Sequence, residues 1–137
     1  MYKPRYFEIQ ELVDRVTFER FGVGSLMFFS PLALQALDGL REYFNRSVTV
    51  NNWHKGGPFQ FRGLRPRGCA VGGEYSQHRF GNAFDCDVAG LSAGEVRKEI
   101  LLHKDDPKLE LITCLEADVS WVHFDCRNVE RIRIVKP

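Results

Sequence analysis

Ser76-Gln77-His78-Arg79-Phe80-Gly81-Asn82-Ala83-Phe84-Asp85 places a histidine and an aspartate seven residues apart, with a glycine between them. Gly81 lets the chain turn, and Ala83 leaves space beside that turn. Ala83-Phe84-Asp85-Cys86-Asp87-Val88 then reads as a strand entered directly from the glycine. Further on, Trp121-Val122-His123-Phe124-Asp125 sets a second histidine on an apolar strand. Two imidazoles and one carboxylate suit a tetrahedral Zn²⁺ with one position open. Spacing alone also fits a histidine satisfied inside a core.

The elements around this stretch are legible from periodicity and punctuation. Ile9, Leu12, Val13 and Val16 recur at helical spacing and end near Gly22-Val23-Gly24. Ser30-Pro31 opens a second helix as N-cap and first-turn proline, with Ala33, Leu37, Leu40 and Phe44 on one stripe. Ser47 to Asn51 alternates as a short strand. Ser92-Ala-Gly-Glu95 matches a capping box and opens a third helix through about Lys104, stopped by Asp105-Asp106-Pro107. Leu109 to Glu116, Ser120 to Cys126 and Glu130 to Val135 read as three strands in a meander. Helices early and strands late predict an α+β fold, a small antiparallel sheet with helices packed on one side.

Composition narrows the function classes. The 137 residues suit one domain, 1–137, and 44% hydrophobic with 27% charged residues is a globular balance. A net charge of +1 gives no global reason to expect nucleic acid as a partner. No apolar run approaches the roughly 18 residues of a spanning helix, so no membrane span is expected. Met1 to Glu8 carries charge where a signal peptide needs an apolar core, so the expectation is cytoplasmic synthesis without a signal peptide. Cys69, Cys86, Cys114 and Cys126 contain no C-x-x-C pair and read as free thiols. No feature sets an oligomeric state.

Eight of the twelve glycines fall between Gly56 and Gly90, a loop-rich stretch of the kind that carries sites. Between Asn51 and Phe80 five cations, Lys55, Arg62, Arg65, Arg67 and Arg79, face Glu74 alone. That basic rim fits a carboxylate-bearing substrate and equally fits a solvated face.

Residues 76–85 match the pattern S-x-H-x-x-G-x-A-x-D at every specified position. This resembles the zinc D-alanyl-D-alanine carboxypeptidase/endopeptidase family, which shares its fold with the hedgehog signalling domain. Trp121-Val-His123-Phe-Asp125 is similar to that family's second signature, and Arg62-Gly-Leu-Arg65-Pro to its S-G-x-R segment. The resemblance covers about Val48 to Arg127. It implies a hedgehog/DD-peptidase fold and one zinc held by His78, Asp85 and His123. It implies a hydrolase of peptide bonds in bacterial peptidoglycan stem peptides, with Arg65 facing the substrate. A compact, signal-less chain looks like the endolysin or virion enzymes of bacteriophages, reaching the cell wall after lysis-type release or within a particle.

One position departs from the family. Many members carry a general-base glutamate three residues before the last histidine, where this chain has Ser120. Glu116, closing the preceding strand, is the first candidate to replace it, Asp118 in the turn the second, and His54 a distant third. Asp125, two residues beyond His123, shares its strand face and is placed either to orient the imidazole or to pair with Arg127. Without a base, the alternative is a non-catalytic, zinc-containing binding or structural module on the same fold.

Overall fold

The computed structural model describes Met1–Pro137. The chain forms three α-helices, α1 (Arg15–Phe21), α2 (Pro31–Phe44) and α3 (Ala93–Leu102), and five short strands. The strands are β1 (Val48–Thr49), β2 (Ala83–Val88), β3 (Cys114–Glu116), β4 (Val122–Asp125) and β5 (Arg133–Val135), in sheet order β1-β2-β4-β3-β5. The architecture is α+β around one small mixed sheet.

The register separates two chemistries. Phe84 pairs with Phe124 and Cys86 with Val122, while Ala83 pairs with Asp125 and Asp85 with His123. Side chains alternate across a strand, so each set occupies its own face. Phe84, Cys86, Val88, Val122, Phe124 and Leu115 join one core with Leu34, Leu37 and Leu40 of α2 and Val96 and Ile100 of α3. Phe29 stacks on Phe84, which in turn packs on Phe124 at 5.8 Å between ring centres. The opposite face carries Asp85, His123 and Asp125, and by register Glu116.

Several elements match the sequence reading. α2 begins at Pro31 after Ser30, and α3 begins behind the Ser92–Glu95 capping box, both halves of which form. β2 spans Ala83–Val88 as expected. All four cysteines are free. Burial pushes the Cys126 thiol up to about 12 and the Cys114 thiol up to about 11, so both are uncharged at neutral pH.

Three expectations are corrected. The first helix is divided: Ile9–Glu11 is a 3₁₀ turn, and Asp14 caps a separate α1 by accepting from the Thr17 amide. Leu12 and Val13 are fully buried between them, and their carbonyls accept from Leu64, Asn51 and Trp53. The sheet is mixed rather than antiparallel, because β5 pairs in parallel with β3. Both edges of β4 are taken by β2 and β3, so the chain after β4 lands on the free edge of β3 and no meander forms. Finally, Leu109 is buried in a turn, where Asp106 accepts from the amides of Lys108, Leu109 and Glu110, and Ile112 in the irregular link before β3, so neither lies along a strand.

Candidate metal centre

His78 is delivered by a 3₁₀ turn, Gln77–Phe80, that ends at Gly81. Gly81 has φ +62°, and a Cβ there would lie 2.0 Å from the Phe28 carbonyl oxygen. Only glycine accepts both the left-handed backbone and the contact. Gly63 makes a similar close approach, since its Cβ would stand 2.0 Å from the Leu12 carbonyl oxygen. That packing brings the Gly63 carbonyl to His78, whose Nδ1–H donates to it at 2.8 Å. With Nδ1 committed to that carbonyl, the ring turns Nε2 toward Asp85 and His123, and the backbone sets its orientation.

Three donor atoms converge at this point. His78 Nε2 lies 3.2 Å from His123 Nδ1 and 3.3 Å from Asp85 Oδ1, and the last two are 2.7 Å apart. A tetrahedral ion with bonds near 2.0–2.2 Å spaces its ligands by about 3.4 Å, so two edges already have the required length. The third is a hydrogen bond that closes when His123 carries a proton. His78, Asp85 and His123 are all buried and can together hold a metal ion.

A further layer holds these ligands. Asp85 uses Oδ1 toward the histidines and accepts from Arg65 Nη2 on Oδ2 at 2.7 Å. His123 Nε2 faces Asp125 Oδ2 at 3.4 Å. Asp125 is fully buried and gripped by Arg127 through Nε at 2.8 Å and Nη2 at 2.5 Å. Burial opposes charge on His123, but the hydrogen bonds to Asp125 and Asp85 prevail and raise it to about 9. Burial likewise opposes the Asp85 carboxylate, yet hydrogen bonds from His123 and His78 hold it well below the usual range. From Arg65 through Asp85, His123 and Asp125 to Arg127 the side chains thus alternate in charge.

The centre lies in a cleft of about 420 Å³. Arg65, Glu116 and Trp121 line it with the three ligands, so the structure gathers most of the residues singled out in the sequence. Asp118 stands apart: it has φ +60° and is an exposed turn residue 3.6 Å from Lys136. His54 borders a different hollow, beside Trp53 and Arg15. Arg62 and Asp87 pair with each other outside the cleft. Arg65 does more than the sequence suggested, because it bonds Asp85 and also donates through Nε to the Phe61 carbonyl at 2.8 Å.

Other residues had weaker signals or none. Arg127, in the cleft and on Asp125, was suggested only by its position two residues after an aspartate. Val71, Tyr75 and Val135 also line the cleft, brought there by loop geometry and by the parallel strand. No family model, curated protein or solved structure matches this chain.

Proposed function

We propose that the chain is a zinc metallopeptidase with the hedgehog/DD-peptidase fold, hydrolysing peptide bonds in bacterial peptidoglycan stem peptides. One observation carries this reading. His78, Asp85 and His123 meet at the base of an open cleft that also contains Arg65 and Glu116. Zinc, when bound, supplies Lewis acidity toward a carbonyl and toward water.

The chain's own groups complete the chemistry. Glu116 ends β3 beside His123 and offers the carboxylate that Ser120 cannot, taking a proton from water and returning it to the leaving amine. Arg65 has N–H groups beyond those on Asp85 and Phe61, and a planar fork suits a substrate carbonyl or carboxylate. Asp125 and Arg127 keep the His123 ring in the tautomer that frees Nδ1. Phage-type release or virion carriage would bring such an enzyme to the wall.

Ser120, together with the ion pair that engages Arg65, favours a second reading, a zinc-holding module without turnover. Metal analysis of the purified chain, followed by incubation with defined muropeptides, separates the two. The peptidase reading expects one zinc per chain and cleavage that chelation stops and zinc restores. One zinc with every muropeptide intact selects the module.

A further inference from the structure

Arg79 directly follows His78, yet its side chain reaches a loop rather than the three candidate ligands. Its Nε donates to the Gly73 carbonyl at 3.0 Å, Nη2 to Cys69 at 2.8 Å and Nη1 to Pro66 at 3.3 Å. Arg62, Arg65 and Arg127 each pair with an aspartate. Arg79 has no carboxylate partner and directs its donors at carbonyls alone.

Besides Arg79, two short turns brace the segment, the Cys69 amide donating to Pro66 and the Ser76 amide to Gly73. Pro66 to Gly73 contains no helix or strand, and Gly68 and Gly72 have φ of +88° and +78°. The same segment continues into the cleft, whose lining includes Val71, Gly72, Gly73 and Tyr75. Glu116, Trp121 and Val135 line it as well. Tyr75 is 79% exposed and Val71 44%, so neither is held there by packing into the core. Two exposed apolar side chains in the lining of the cleft have the placement of substrate contacts.

We propose that Arg79 is a positioning residue that clasps Pro66–Gly73 and so fixes Val71 and Tyr75 as the wall on which an apolar part of the substrate rests. The clasp stands on the hydrogen bonds; the identity of the substrate rests on the peptidase reading. Lysine cannot replace Arg79, because one ammonium cannot reach three carbonyls arranged around a planar fork.

Trypsin reads the clasp without any need for activity, since exposed Arg67 lies inside the held segment. Cleavage after Arg67 should run about tenfold faster in Arg79→Ala and in Arg79→Lys as the loop opens locally. Zinc content should stay at the wild-type level in both. For muropeptides, KM should rise about tenfold with kcat changed less than about threefold, the pattern of lost binding rather than lost chemistry. Tyr75→Ala should raise KM while leaving the trypsin rate alone. Wild-type nicking in Arg79→Ala overturns the clasp, and faster nicking with unchanged KM overturns the wall. Loss of zinc in both variants would reassign Arg79 to support of the metal centre. A wild-type chain that cuts no muropeptide overturns the peptidase reading and the wall's substrate with it, while the trypsin rates decide the clasp independently.

Discussion

Phe84 and Asp85 are neighbours on β2, as Phe124 and His123 are on β4, yet the two faces of this strand pair are held by different physics. On the helix-covered face, apolar side chains exclude water, and their contribution grows with area and packing. On the cleft face, Asp85, His123 and Asp125 are nearly as buried but polar, and each is satisfied by a named partner. Burial of a charge is costly unless it is paired, so this face depends on geometry at the scale of single hydrogen bonds. On the proposed peptidase reading, core-face changes lower stability, whereas cleft-face changes alter metal affinity and turnover.

Glu116→Gln tests the cleft face most severely. It keeps the shape and removes the carboxylate proposed as proton acceptor, so hydrolysis of a muropeptide should fall about 10²–10⁴-fold while zinc stays bound. Retained activity in that variant, with loss in Asp118→Asn, would move the base to the turn.

Phe84→Ala tests the other face. A fully buried aromatic ring in contact with Phe29 and Phe124 is removed, and urea unfolding should show a loss of about 3–5 kcal/mol, equal with and without zinc. A selective loss of zinc affinity in the folded fraction would break the separation of faces.

His78→Ala is the counterpart. Calorimetric zinc affinity should drop by more than about 100-fold, beyond the range of an outer-partner loss. The ion-free protein should lose only about 1–3 kcal/mol, because the Gly63 carbonyl is left without its donor. Arg127→Lys is gentler: a point charge cannot hold both Asp125 oxygens, and zinc affinity should fall about 10- to 100-fold. Asp118→Asn is the smallest change, within about 0.5 kcal/mol in stability, since its one ion pair is exposed.

Legibility in the sequence followed the range of the forces involved. Ser30-Pro31 and Ser92–Glu95 act within one helical turn, and both start sites are where the sequence places them. The alternation in Ala83–Val88 carries its own face assignment, and the register then set Asp85 opposite His123. Leu12 and Val13 misled because they join the core from the link between two helical turns, where their carbonyls accept from Leu64, Asn51 and Trp53, rather than from one helix face. Leu109 and Ile112 misled in the same way, being buried in a turn and in the irregular link before β3.

From its sequence alone this chain determined its helix starts, its central strand and the three side chains able to hold a metal, because local periodicity, capping and residue chemistry need no partner from afar. Tertiary structure alone decided the parallel placement of β5, the Gly63 carbonyl on His78, the Arg65 bond to Asp85, and the loop that Arg79 holds. Each of those depends on which edge is free, or on the approach of backbone segments within van der Waals contact. Such contacts arise only once the core has brought distant segments together, and no residue pattern on one segment encodes them.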